Sequence, residues 1–550
     1  MADQALEQRG PSMRMVLAAS AAGTVFEWYD FFIFGSLLSI ITAHFFAGAG
    51  PTMGYIFALL TFAVGFAVRP LGALVFGYFG DRTGRKRTFL VTITIMGAAT
   101  FAIGLLPDTS SIGTLAPYLL IALRMLQGFA VGGEYGGAAV YVAEHAGRQN
   151  RGAATGWIQV AATVGLFLAL IVIIASRTWM GEAFFADKGW RAPFLISALL
   201  LIVSLWIRMR LDESPAFVKL KAEGKVSRAP LSEAFLRWSN LRVVLVVLFG
   251  LLMGQGVVWY TAQFYTQFFL ERMLKVEPRT VNLLILSVTA IAAPAHIFFA
   301  WLSDKVGRKP VMLFGLGLAT LTFIPAFQWL TAAVNPGLVE ATARSPVVVV
   351  AAPDECSLQF DLIGKSSFSS SCDIAKSALA GLGVSYSNET AEPGTLARIR
   401  IGTSALSSIN GETLAPSALE TARKNFSAEL KRALTEAGYP AKADPARINV
   451  PLAIAILLIL IIAAAALYGP QAAALVELFS TRIRYSALSL PYHIGVGWFG
   501  GFLPATAFAI VAATGNLYSG LWYPVAVAAM GFIVTLLFLP ETRGRDIDTD

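Results

Sequence analysis

Charge is what this chain has least of. Asp, Glu, Lys and Arg make up only 14% of its 550 residues, where a soluble domain carries about a quarter. It has two cysteines and four histidines. So little charge excludes a large solvated surface. So few cysteines and histidines exclude a disulfide-dense scaffold and leave no CxxC or histidine cluster for a metal. No GxxxxGK[ST] loop occurs, which argues against transport driven by ATP. Nor does any interface gather carboxylates, His or Ser as a membrane enzyme would require. No cofactor is expected.

Apolar sequence is abundant instead. The chain is 56% hydrophobic, with a mean hydropathy of +0.65, and apolar runs of about 20 residues recur along almost its whole length. An all-α polytopic membrane protein is predicted. The net charge of +8 lies mostly in short turns between the runs, where it sets orientation and does not signal nucleic acid. The apolar run after the polar first fourteen residues contains Glu27 and Asp30. A signal peptide would carry neither acid, so this run is expected to be an uncleaved first helix.

Twelve helices are predicted, near 15–44, 54–79, 88–106, 113–143, 153–176 and 190–210, then 241–270, 281–302, 311–333, 448–477, 485–513 and 517–539. They form an N-terminal half (1–210) and a C-terminal half (241–334 and 448–550) joined by a loop at 211–240. Lys and Arg concentrate in the turns at 82–87, 148–151, 305–309 and 482–484 and in the central loop. The positive-inside rule then places both termini and these turns in the cytoplasm.

Two strings are written twice. GYFGDRTGRKR at 77–87 returns as AWLSDKVGRKP at 300–310, placing Asp304 223 residues after Asp81 (304 − 81) and Arg308 after Arg85. Glu144 precedes Arg151 by seven residues, and Glu477 precedes Arg484 by seven, with an offset of 333 (477 − 144). The second half therefore holds about 110 extra residues (333 − 223), assigned to the polar segment 335–447. Helix parity puts it outside the cytoplasm. VVVVAAP and LARIRIG read as strands, and ALETARKNFSAELKRALTEAG as an amphipathic helix, so a small α/β insert is expected. It carries both cysteines, Cys356 and Cys372. In an oxidising compartment such as the periplasm they would form one disulfide; the alternative is two free thiols.

Paired halves can rock about a central site and open it to each side in turn. Asp81, Arg85, Asp304 and Arg308 in the repeated turns, with Glu144, Arg151, Glu477 and Arg484, are candidate gating residues. Acids there can pair with basic side chains and with helix ends across the seam. Plain topology would explain the basic residues but not the matched acids. Glu134, in the glycine-rich GFAVGGEYGG, reads as a further gating or seam residue.

Several strings together resemble the major facilitator superfamily and, within it, the metabolite:proton symporter family of α-ketoglutarate, shikimate, citrate and proline/betaine carriers. They are FEWYDFFIFG (26–35), RPLGALVFGYFGDRTGRKR (69–87), RMLQGFAVGGEYGGAAVYVAEH (124–145), GWRAPF (189–194), LDESPAF (211–217) and LPETRGRDI (539–547). The resemblance covers all twelve helices; the insert departs from it. It implies a multi-pass transporter; the disulfide-bearing insert points to a bacterial inner membrane with residues 335–447 on the periplasmic face.

Ionisable groups at membrane depth need a reason. Glu27 and Asp30 share one helix face. Arg69 lies about 18 Å along its helix from Asp81, near mid-membrane, and Arg124 falls at similar depth. The four form a self-neutralised cluster, readable as a permanent ion-pair network or as a coupling site. In the second reading an arginine leaves its acid for a substrate carboxylate and the acid takes a proton. The resemblance favours Asp30 and Arg124. The second half adds Gln255, Trp259, Tyr260, Tyr492 and His493 as candidate pocket residues, with His296 a second possible proton carrier. The expected activity is proton-coupled symport of a small organic anion, its partners being that acid, protons, the bilayer and a periplasmic protein for the insert. A zwitterionic osmolyte is the alternative substrate, since aromatic rings can cage an ammonium group. A transporter-like sensor using the insert is the alternative class.

Overall fold

The computed structural model describes residues 13–46, 51–210, 212–357 and 368–547. The first twelve residues, the insert's 358–367 and the last three residues of the tail lie outside the described residues.

Long apolar helices dominate because the backbone of such runs can satisfy its polar groups only within itself. The first half comprises α1 (Met13–Ser36), α2 (Pro51–Thr83), α3 (Arg85–Leu105), α4 (Leu115–His145), α5 (Arg151–Met180) and α6 (Arg191–Met209). The second begins with α7 (Trp238–Met273), α8 (Pro278–Val306) and α9 (Arg308–Val334). After the insert come the tenth to twelfth membrane helices: α12 (Val450–Leu478), α13 (Arg484–Thr514) and α14 (Trp522–Phe538). Among the described residues ten helices are long and apolar enough to cross a membrane. α1 and α2, the carriers of Glu27, Asp30, Arg69 and Asp81, complete the twelve.

Two departures from the predicted helices matter. The first run is not one helix to residue 44: it breaks after Ser36 and resumes at Leu38–Phe45. The seventh and eleventh contain π-helical turns, at Val247–Leu252, Thr261–Tyr265 and Phe269–Met273 in α7 and at His493–Gly500 in α13. Such turns widen a helix where side chains must be re-aimed.

The insert folds as α/β. The run VVVV forms β1 (Val347–Ala351), followed by α10 (Ser371–Gly381), β2 (Ser387–Thr390), β3 (Arg398–Ile401), β4 (Ser404–Ser407) and α11 (Pro416–Glu436). The sheet order is β2-β1-β3-β4. β2 runs parallel to β1, with Val349 opposite Asn388, and β3 runs antiparallel, with Val349 opposite Ile399. Cys356 and Cys372 are joined as a disulfide that ties the segment after β1 to the first turn of α10.

Candidate functional site

The site is assembled by the close approach of α2 and α4. A Cβ at Gly128 would lie 2.8 Å from the Gly65 Cα, and one at Gly132 would lie 2.7 Å from the Ala73 nitrogen. Only glycine permits that contact. It sets Arg69 and Arg124 on adjacent helices, both facing the acids of α1.

Glu27, Asp30, Arg69 and Arg124 then line one small cavity together with Phe31, Phe66 and Gln127. Its volume of about 20 Å³ has room for about one water. A molecule of several carbons does not fit it as it stands.

Two unlike pairs occupy this cavity. Asp30 is held firmly: Gln127 donates to it at 2.9 Å, and Arg124 stands 3.8 Å away while donating to Gln127 at 2.8 Å. Thr100 joins the network through the same amide, at 2.8 Å. Both charged residues of this pair are buried, at 4% and 5% exposure. Glu27 and Arg69 are half-buried, and among the described residues neither side chain makes an ion pair. Arg69 lies over the Phe66 ring at 4.4 Å, and among the described residues its Nε has no hydrogen-bond partner.

The second half faces this cavity with rings. Trp259 lies 5.1 Å from Trp28, Phe264 5.5 Å from Phe31 and Tyr260 6.1 Å from Phe66. Tyr492 stacks on Tyr135 at 3.7 Å and 7° across the seam, and its hydroxyl is 3.2 Å from that of Tyr468. Gln255 and His493 are buried, and among the described residues the Gln255 Oε1 makes no hydrogen bond.

A charged seam joins the halves at the face carrying the repeated turns. Asp81 accepts from the Tyr485 and Ser486 amides at 3.1 and 2.8 Å, the N-terminal turn of α13. Asp304 accepts from the Gly152 and Ala153 amides at 2.9 and 2.7 Å, the N-terminal turn of α5. Each carboxylate thus binds the positive end of a helix in the other half. Arg484 bonds Glu144 at 2.6 Å, and Arg151 bonds Glu477 at 3.1 Å. Arg85 stands 3.3 Å from Asp81, and Arg308 is 2.6 Å from Asp304 and 3.1 Å from Glu477. Glu134 is elsewhere: its partners are Arg208 and Thr92, both in its own half.

Sequence reasoning missed Arg208, Gln127 and the acids that cap the helices after each repeated turn. Glu213 accepts from the Arg85 and Lys86 amides at 3.0 and 3.2 Å, and Glu541 from the Arg308 and Lys309 amides at 2.9 and 3.1 Å. A signal was present: Glu-Ser follows the sixth helix and Glu-Thr the twelfth. Arg208 carried none, because an arginine near a helix end reads as an interfacial anchor.

A charged cavity in the first half, faced by rings of the second and with a charged seam joining the two, is the arrangement of a secondary transporter. The chain belongs to the Major Facilitator Superfamily, whose family model matches residues 20–351; a second, described as sugar (and other) transporter, matches 435–549. Among curated proteins it is 38% identical to the shikimate transporter of Escherichia coli K12 over 326 residues, covering 58% of this chain and 73% of that one. It is 35% identical to the proline/betaine transporter of the same organism over 327 residues, covering 57% and 64%. A solved structure of the proton:xylose symporter XylE has the same fold, with a TM-score of 0.62 at 15% identity and 98% coverage of both chains.

Proposed function

We propose that the protein carries a small organic acid together with a proton, and that Glu27 and Arg69 form the coupling centre. The observation supporting this is the contrast between the two pairs. Asp30 and Arg124 already answer each other through Gln127, whereas Arg69 faces the cavity without an ion-pair partner and Glu27 stands beside it. A guanidinium facing a cavity suits a carboxylate, whose two oxygens match its fork.

Charge balance supplies the coupling. Two acids and two arginines make the cavity neutral, and an arriving carboxylate adds one negative charge. Two carboxylates beside one guanidinium, away from water, are costly to keep ionised together. A proton on Glu27 restores neutrality, so anion and proton travel as a unit. The charged seam acts as the gate at one face: it must break for the cavity to open there.

In this reading the turn face is cytoplasmic, which the Lys and Arg distribution supports. The insert then lies outside the cytoplasm, where its disulfide persists, and the membrane is a bacterial inner membrane. A betaine or proline is the second substrate reading, favoured by Phe66 and Phe31 in the cavity wall and by Tyr260 and Phe264 packed against them. Those rings would take the ammonium while Arg69 takes the carboxylate.

Uptake into proteoliposomes under an inward proton gradient tests the proposal, with mono- and dicarboxylates, hydroxylated ring acids, glycine betaine and proline as substrates. Gradient-driven uptake of an acid that is lost in Arg69→Ala is the expected result. Acid uptake in Arg69→Ala equal to that of the parent would sink the assignment, and uptake of betaine alone would move the substrate to the zwitterion.

A further inference from the structure

The segment after α14 behaves unlike its counterpart in the first half. After α6, Glu213 caps the start of α3 and Ser214 begins the short helix Pro215–Ala222, whose Phe217 ring lies 4.9 Å under the Arg85 guanidinium. The central loop reaches the other half farther along the chain, where Glu233 pairs with Arg482 at 3.2 Å. After α14, Glu541 caps α9 and Thr542 donates to Glu477 at 2.8 Å, but the chain then turns toward the other half.

Its carbonyls meet the arginines of the seam. The Ile547 carbonyl accepts from Arg484 at 2.9 Å and from Thr481 at 2.8 Å, both in the second half. The Arg545 carbonyl accepts from Arg151 at 3.3 Å, and the Gly544 carbonyl accepts from Arg148, both in the first half. Ile547 and Thr542 are buried, at 6% and 1% exposure. The segment is thus anchored on one half by Thr542 and Ile547 and reaches the other through Gly544 and Arg545.

We infer that residues 541–547 form a strap across the charged seam, which must release Arg148 and Arg151 before the halves can part at that face. The strap adds to the seam's own ion pairs and holds its arginines through backbone carbonyls, whereas the central loop crosses through the Glu233 side chain to Arg482. It therefore biases the resting molecule toward the state closed at the turn face. The inference does not depend on which substrate is carried.

The test uses the full chain in detergent, with Ser489→Cys as the only reactive thiol, since the native cysteines are disulfide-bonded. Residue 489 is buried on α13, about 7–8 Å along the helix beyond Arg484, so a maleimide reaches it only when the seam opens. Arg148→Ala removes the exposed anchor on the first half without touching a seam ion pair. Its alkylation is expected to run about two- to fivefold faster, the loss of roughly one exposed hydrogen bond from the closed state. A chain ending at Thr542 should label faster still. Equal rates in the parent and in Arg148→Ala overturn the strap whatever the shortened chain does, because shortening also strips bonds from Arg484 and Thr481.

Discussion

Asp81 and Asp304, 223 residues apart in the chain (304 − 81), make the same bond in opposite directions. Asp81 of the first half caps the start of α13 in the second, and Asp304 of the second half caps the start of α5 in the first. Each is followed four residues later by its own arginine, Arg85 or Arg308. The seam is therefore two-fold in its chemistry, and the two carboxylates should be interchangeable in effect.

Asp81→Asn and Asp304→Asn are expected to cut gradient-driven uptake by similar factors, on the order of tenfold, since each keeps the side chain's size but loses a charge at a helix N-terminus and beside an arginine. Transport assays of both variants in parallel check this. A large effect at one site with none at the other would contradict the symmetric seam.

Glu27→Gln should separate binding from coupling. With the proton mimicked permanently, exchange of labelled for unlabelled substrate should persist while accumulation against a gradient falls to near background. Asp30→Asn should instead impair both, because Gln127 and Arg124 lose the acid they are arranged around. Counterflow and gradient-driven uptake, measured side by side, distinguish the two patterns.

The insert should be removable. It leaves α9 and enters α12 at a single point, where the Asn449 amide donates to the Ala333 carbonyl at 2.8 Å. Chain ends this close tolerate excision. Each described hydrogen bond between insert and membrane helices goes to the second half, as from the Tyr386 amide to the Gly515 carbonyl at 2.7 Å and from Lys275 to the Gly381 carbonyl at 3.0 Å. Replacing 336–447 by a short Gly-Ser linker should leave a folded, monodisperse protein with a lowered melting temperature, read by thermal unfolding in detergent. An aggregated product would show that the membrane helices need the insert.

Docking of the insert should tighten with rising pH. Burial, with Arg272 and then Lys431 nearby, pushes Lys275 down to about 8. A lysine whose folded value lies below its ordinary one opposes folding fully while it is charged in both states, below about pH 8. That opposition fades as pH climbs toward the ordinary lysine value. Amide exchange in α10, which follows docking through Gly381, should therefore slow between pH 8 and 10. Lys275→Met should abolish the dependence; exchange that rises over this interval after correction for its intrinsic pH dependence would contradict it.

Much was legible in the sequence because membrane insertion acts on local properties. Run length and hydropathy mark the helices, and the two repeated strings exposed the halves, the seam residues and the length of the insert. Glu27, Asp30, Arg69 and Arg124 stood out because charge in an apolar run is costly wherever it occurs. Glu134 had the same signal, and only the structure placed it with Arg208 inside one half.

What the sequence determined by itself was which residues are anomalous. Which of them face one another was decided by the tertiary structure. Gln127 joins Asp30 and Arg124, and Arg69 makes no ion pair among the described residues, because glycines on α4 bring its backbone against α2 at one particular register. Side-chain pairing across helices depends on packing distances of an ångström or two. Hydropathy is a sum over residues and carries no record of them.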